Sequence, residues 1–356
     1  MTLSRSTAAG PGLPGSRRRV EQVWAAPTDA PHAPAVSVII PTKDRPAQLR
    51  QCLTALARSS IGEDHYEVIV VDDGGSEALD DIVAEFGGHV SIRLLRQSPS
   101  GPARARNAGA AGARAGLLAF TDDDCRPAAD WLEQLLRHHA ETADVAIGGR
   151  VANRVPDNHY SRASQVLLDY LYRKSNPDGA DATFFASCNF AVPRASFIES
   201  GGFSESYPFA AAEDRDFCRR WKQQGRRLAY AADAVVDHFH TLAMRSFFRQ
   251  HFRYGRGSRR FRHEAAEGAG ARPAFERVGF YVGIVCEPFR QMPLWPALWV
   301  SVLLGVSQVA TVVGFGWEVI QDAPARRIEE VVSRSSETGR DRSGAGARGY
   351  PHENRP

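Results

Sequence analysis

From Val36 onward the chain alternates between two hydrophobic rhythms. Continuous apolar runs occur at Val36-Ser37-Val38-Ile39-Ile40, Glu67-Val68-Ile69-Val70-Val71, Ser91-Ile92-Arg93-Leu94-Leu95 and residues 116–120, each with the length and β-branched content of a buried strand. Between them, Leu49, Cys52, Leu53 and Leu56, then Leu79, Ile82, Val83 and Phe86, recur at helical spacing, and residues 101–115 read as a helix after a Gly-Pro loop. Strands buried on both faces and separated by helices predict an α/β fold with a mainly parallel sheet. Further along, residues 146–151, 184–192 and 228–236 read as strands, while 153–181 is polar and aromatic without a clear period. Glu213-Asp214 opens a helix whose apolar stripe is Phe217, Cys218 and Trp221 and which ends near Gly225.

In such a sheet, ligands bind outside the C-terminal ends of the strands. Three polar clusters stand there: residues 42–45, Asp72-Asp73 and Asp122-Asp123-Asp124. Adjacent carboxylates repel one another and lose hydration when buried, so the triplet suits a cleft in which a divalent cation and a polyol satisfy it. A solvated acidic turn or a helix N-cap would account for the triplet taken alone. Asp214, at a helix N-terminus whose amides favour the ionised carboxylate, suits a general base, with Glu213 as a supporting acid. Asp237-His238-Phe239-His240 follows the last strand, and alternation sets both imidazoles on one face.

The ordered set Val38-Ile39-Ile40-Pro41-Thr42-Lys43-Asp44-Arg45, Val71-Asp72-Asp73-Gly74-Gly75, Gly101 to Asn107, the triplet, Gly201-Gly202-Phe203, Glu213-Asp214 and a late histidine resembles the family-2 glycosyltransferases. The resemblance runs from Val36 to His240. It implies the GT-A fold, a Rossmann-like nucleotide-binding arrangement, and an inverting, metal-dependent hexosyltransferase-type enzyme that takes a nucleotide-sugar donor, UDP- or dTDP-linked. On that resemblance Asp73 accepts the imide N–H of the base, with Pro41, Thr42 and Asp44 lining the same nucleotide side. Asp122 and Asp123 face the ribose and donor sugar, and Asp124 binds Mg²⁺ or Mn²⁺ with His238, or alternatively His240. Arg104 and Arg106 would meet phosphates or acids in the cleft, although a surface ion pair explains them equally well. Ser187 and Asn189 are expected on the acceptor side.

Composition adjusts this picture in three places. With 43% hydrophobic residues over 356, the chain has ample material for a core. Lys and Arg total 44 against 41 acids, so the +3 net charge gives no general affinity for polyanions, and no nucleic-acid module is present. Five cysteines without close pairing suit a reducing cytosol.

The expected organisation is a disordered arm (1–33), a GT-A domain (34–242), a basic amphipathic helical segment (243–290), an apolar helix (291–320) and a mostly disordered tail (321–356). In the basic segment Arg245, Arg249, Arg253, Arg256 and Arg260 recur at helical spacing beside Phe247, Phe248 and Phe252. That pattern suits an anionic membrane surface or a lipid-linked acceptor, and equally a solvated flank of the site. A helix over 297–317 would be roughly 31 Å long, enough to span a bilayer, with Trp295, Trp299 and Trp317 as interfacial anchors. The whole points to a transferase at the cytoplasmic face of the cell membrane, or in the cytoplasm, that acts on a glycan or lipid-linked cell-envelope acceptor. A nucleotide-sugar-binding protein without turnover is the alternative.

Overall fold

The computed structural model describes residues 20–25, 33–142, 144–177, 182–207, 209–269 and 275–343. In chain order the elements are β1 (Val20–Ala25), β2 (Val36–Thr42), α1 (Pro46–Leu56), β3 (Tyr66–Asp72), α2 (Asp80–Phe86), β4 (Ser91–Gln97), α3 (Pro102–Gly112), β5 (Leu117–Thr121) and β6 (Cys125–Pro127). They continue as α4 (Trp131–Glu141), β7 (Val145–Asn153), α5 (His159–Ser175), β8 (Asn189–Pro193), α6 (Arg194–Glu199), α7 (Glu213–Gln223) and β9 (Arg227–His238). The C-terminal helices are α8 (Met244–Ala269), α9 (Val278–Cys286), α10 (Pro288–Gln291) and α11 (Leu294–Ser343).

The strands form one sheet in the order β1-β4-β3-β2-β5-β8-β7-β9-β6. The pairs β4–β3, β3–β2, β2–β5 and β7–β9 are parallel, whereas β8 runs antiparallel between β5 and β7. Alternation along the strands divides the interior into two layers. Val36, Val38, Ile40, Val68 and Val70 pack with Leu49, Leu53, Ile82 and Trp131 of α1, α2 and α4. Their neighbours Ile39, Ile69, Val71, Leu118 and Phe120 pack on the opposite face with Ala103, Phe197, Phe217 and Trp221 of α3, α6 and α7. A third apolar cluster joins Val166 and Tyr170 of α5, Phe247 of α8, Ile284 of α9 and Val300 and Leu304 of α11.

The structure corrects three readings. Within the stretch expected to be a disordered arm, Val20–Ala25 pairs antiparallel with β4 at the sheet edge; residues 1–19 and 26–32 lie outside the described residues. The stretch 153–181, which shows no period in the sequence, holds the 17-residue helix α5, whose Asn158 side chain caps the Ser161 amide. Tyr160, Ala163, Val166, Leu167, Tyr170 and Leu171 form its apolar stripe, which packs on α8, α9 and α11, while other positions of α5 meet the sheet at β7. The backbone of α11 also remains helical to Ser343, through part of the expected disordered tail; 344–356 lie outside the described residues.

Helices α8 and α11 meet backbone to backbone. A Cβ on Gly314 would collide with the Phe252 carbonyl oxygen, and one on Gly255 with that of Thr311. Gly→Ala inside a helix ordinarily gains about 0.5–1 kcal/mol. At Gly314 the sign should reverse, with Gly314→Ala costing about 1–3 kcal/mol through overpacking. Thermal unfolding of the variant measures this, and a raised midpoint would show that the two helices do not pack this closely.

Candidate active site

The C-terminal ends of β2, β3 and β5 open on a cleft of about 1690 Å³, which α7, the end of β9, α5 and α8 complete. Pro41, Thr42, Asp44, Asp73, Arg106, Asp122, Asp123, Asp124, Ser187, Glu213, Asp214, His238 and His240 all line it. Residues of α5, α8, α9 and α11 that carried no assigned role, among them Ser161, Gln165, Tyr254, Tyr281 and Thr311, line the rest of it.

On the β3 side, Asp73 is 9% exposed. Its Oδ1 accepts from Gln97 Nε2 (2.7 Å) and the Ser100 amide (2.7 Å), and its Oδ2 from the Gly101 amide (2.8 Å). These bonds tie the loop before α3 to β3, with Gly101 at φ 94°, where a side chain would strain the backbone. Asp44 sits at φ 53° and accepts from the Ser76 amide (2.6 Å) and hydroxyl (3.0 Å), which lower its pKa.

The triplet follows β5, and its three carboxylates have different partners. Asp122 accepts from Arg106 (2.7 Å). Asp123, nearly buried, accepts from the Thr42 hydroxyl (2.8 Å) and Arg45 (3.0 Å). Burial raises its pKa to about 6 despite Arg45, with Asp124 adding to the rise. Asp124 lies 3.2 Å from Arg45 and 3.2 Å from His238 Nε2. Burial opposes ionisation of Asp124, but the hydrogen bond and charge of His238 prevail and hold its pKa well below the usual range. Burial would likewise lower the His238 pKa, yet Asp124 raises it to about 9. His240, its ring centroid 5.1 Å from that of His238, is pushed down to about 4 by burial and by His238.

Arg106 proves to be no surface ion pair. It is 2% exposed and bridges Asp122 to Glu213 (3.1 Å) across the cleft floor, so α3, β5 and α7 meet at one guanidinium. Glu213 and Asp214 open α7 immediately after Ala212, whose φ of 73° turns the chain into the helix. Glu213 is 2% exposed, and burial together with Asp214 raises its pKa to about 7 while Arg106 opposes the rise. Asp214, the more exposed of the two, accepts from the Arg215 amide (2.7 Å), and burial raises its pKa as well.

One expected residue is elsewhere. Asn189 is fully buried, accepts from Trp131 Nε1 (2.9 Å) and donates to the Arg150 and Ala234 carbonyls (2.9 Å each). It locks β7, β8 and β9 together and has no face toward an acceptor; Ser187 keeps its place on the cleft. Two contributors carried no assigned role in the sequence: Arg45, legible only as part of the loop 42–45, and Gln97, which nothing in the sequence marks.

The donor set also bears on metal binding. Asp124, Cys125 and His238 each bring one ligand atom to within 4.8 Å of the others. The Cys125 side chain belongs to the apolar cluster beneath the sheet, its contact with Cys188 and burial raise its pKa, and a soft sulfur suits Mg²⁺ or Mn²⁺ less well than oxygen or imidazole ligands do. The carboxylate–imidazole pair of Asp124 and His238 has the spacing and chemistry to hold a divalent ion beside exogenous oxygens.

Residues 37–201 match the family model described as Glycosyl transferase family 2. This segment is a family 2 glycosyltransferase domain. Among its relatives, the pre-mycofactocin glycosyltransferase of Mycobacterium tuberculosis is 32% identical over 236 residues, covering 64% of this chain and 48% of that protein. The validoxylamine A glucosyltransferase of Streptomyces hygroscopicus subsp. limoneus is 27% identical over 222 residues, 54% of this chain and 49% of that protein. The chain thus spans about half the length of these curated relatives. The mannosyltransferase PcManGT from Pyrobaculum calidifontis, solved with GDP-Man and Mn²⁺, superposes with a TM-score of 0.60 at 18% identity over 83% of this chain and 90% of that one. The shared fold is the GT-A arrangement.

Proposed function

We propose that this chain transfers a sugar from a nucleotide-sugar donor to an acceptor hydroxyl, inverting the anomeric carbon in a single displacement. The observation that carries the reading is the convergence, in one cleft, of the Asp73 carboxylate, the triplet with its arginine and imidazole partners, and an acidic pair at a helix N-terminus. That the named relatives are glycosyltransferases supports it.

The donor base meets Asp73. A carboxylate oxygen accepts about two hydrogen bonds. Oδ1 already has two and Oδ2 one, so a single site remains open. One open site matches the lone imide N–H of uracil or thymine, whereas the guanine N1–H and N2–H pair would call on both oxygens. UDP or dTDP should therefore bind at least about 10-fold more tightly than GDP, the equivalent of one good hydrogen bond to a charged group. Calorimetry with the three diphosphates decides it, and preference for GDP would refute the base assignment.

Asp124 and His238 would hold Mg²⁺ or Mn²⁺ at the diphosphate, with the His238 proton released on binding. When bound, the ion supplies positive charge against the departing diphosphate. Arg45 is free to turn from Asp124 toward the phosphates, and Asp122 and Asp123 face the ribose and donor sugar. Asp214 then takes the proton of the acceptor hydroxyl as its oxygen bonds to the anomeric carbon and the bond to the diphosphate breaks. Glu213, held by Arg106, supports the position of Asp214. The acceptor is a glycan or lipid-linked hydroxyl that enters past Ser187, Phe184 and Tyr281 on the broad side of the cleft.

The test is a screen of sugar nucleotides for Mn²⁺-dependent thermal stabilisation, followed by product detection with the donor that responds. Asp124→Asn should weaken the metal-dependent part of donor binding by about 10-fold or more, because an amide is a poor ligand for a hard dication. Undiminished Mn²⁺-dependent binding in that variant would remove Asp124 from the metal site.

A further inference from the structure

Among the described residues one helix segment is long and apolar enough to cross a membrane: Leu294–Gln321 of α11, 28 residues that include an 18-residue stretch with a mean hydropathy of 1.9. Its sides differ. Ala297, Val300, Leu304, Ser307, Ala310 and Glu318 are buried against the protein, while Trp295, Trp299, Val302, Val309, Val312 and Trp317 are exposed along the other side. The exposed positions recur every three or four residues, so they form one stripe rather than a belt around the helix.

The buried side fixes how this stripe can meet lipid. Helix α11 runs along α8, with the Gly255 and Gly314 backbone contacts between them and an ion pair from Arg256 Nε to Glu318 (2.6 Å). Helix α8 is in turn fastened to the catalytic cleft. Arg253 and Arg256 stack on the Phe209 ring at 4.8 and 4.9 Å, and Gly257 lies against the Ala211 carbonyl in the loop that leads to Glu213. Were α11 to cross the bilayer in this packing, the arginines of α8 would be drawn to hydrocarbon depth, where charged side chains are costly.

We propose that α11 lies in the plane of a membrane surface, with its exposed stripe at the boundary of headgroups and acyl chains and its other face carrying the catalytic domain; it does not span. The occupant of the stripe is an anionic lipid bilayer. Between Glu287 and Glu318 the sole ionisable side chain is Arg290, which is exposed, and Arg245 is exposed at the start of the adjoining α8. A layer of anionic headgroups complements these charges, whereas a second copy of the chain would set them against their own kind. Three tryptophans on the stripe suit the same interfacial depth. This inference goes beyond the transferase reading and stands without it.

The full-length protein should float with vesicles of phosphatidylcholine containing phosphatidylglycerol, float poorly with phosphatidylcholine alone, and leave the membrane in alkaline carbonate. In a Cys286→Ser background, a nitrobenzoxadiazole label on Val309→Cys reports the depth of the helix centre through quenchers fixed at shallow and deep acyl positions. Stronger quenching from the shallow position is the expected result. Deep quenching with resistance to carbonate would establish a span and overturn the proposal. Val302→Glu with Val312→Glu should lower flotation at least about 10-fold and leave nucleotide binding unchanged. Flotation equal to the wild type would overturn it too, as would absence of flotation accompanied by a dimer in light scattering that the double variant dissociates.

Discussion

Asp214→Asn should leave donor affinity within about twofold of the wild type while cutting sugar transfer by at least about 100-fold. On the proposed reading the donor is held elsewhere, by Asp73 at the base and by the triplet and its partners at the sugar and phosphates. Asp214 itself bonds only the Arg215 amide and keeps its remaining capacity toward the cleft. Burial raises its pKa, and burial together with Asp214 raises that of Glu213 next to it, so the two titrate as a pair. A base acts when deprotonated, so with a raised pKa the rate must fall as the pH drops through that value. The wild-type kcat/KM should therefore lose about tenfold per unit on the acid side, with an apparent pKa above the ordinary carboxylate range that belongs to the pair. In Asp214→Asn both the rate and this acid limb should be lost. Calorimetry gives the donor affinity and initial rates give the transfer; near wild-type transfer by the variant would move the role to Glu213.

The strands that carry the site were legible because they are buried on both faces. Val36-Ser37-Val38-Ile39-Ile40 and Glu67-Val68-Ile69-Val70-Val71 read as continuous apolar runs, and the polar residues that end such runs had to lie at the sheet's rim, which is how Asp73 and the triplet were found. Elements whose environment is mixed were not legible in this way. Helix α5 has a helical stripe in Tyr160, Ala163, Val166, Leu167, Tyr170 and Leu171, but it also touches the sheet and buries Ser161 outside that stripe, and the polar residues between the apolar ones masked the period. Edge strand β1 is six residues long and pairs on one side only, which leaves little sequence signal. Asn189 misled for a related reason: a polar residue at a strand's start looks like a site residue until its three bonds to Trp131, Arg150 and Ala234 are seen. Long-range hydrogen bonds of this kind have no local signature.

Arg106 is the clearest such case, and it carries the second large effect. Arg106→Met keeps an unbranched stem about as long as that of arginine up to Nε but removes the guanidinium between Asp122 and Glu213. Breaking a buried ion pair from one side costs about 3–5 kcal/mol, since the partner is left as an unpaired buried charge. Glu213, 2% exposed, is that partner, and Asp122, whose side chain is 31% exposed, can turn to water. The loss should depend on pH in a definite direction. Without Arg106 the folded-state pKa of Glu213 rises further above its unfolded value, so the variant's deficit is small where Glu213 is protonated and grows as the pH rises through that pKa. Denaturant unfolding at about pH 6 and about pH 8 should thus show the larger deficit at the higher pH. Adding Glu213→Gln removes the stranded charge, and the double variant should recover at least about half of the lost stability. It should not recover transfer, because the guanidinium that orders Asp122 and the start of α7 is still missing. If Arg106→Met is as stable as the wild type at the higher pH, Arg106 is not the counter-charge of Glu213, and the link between α3, β5 and α7 must be made by other groups.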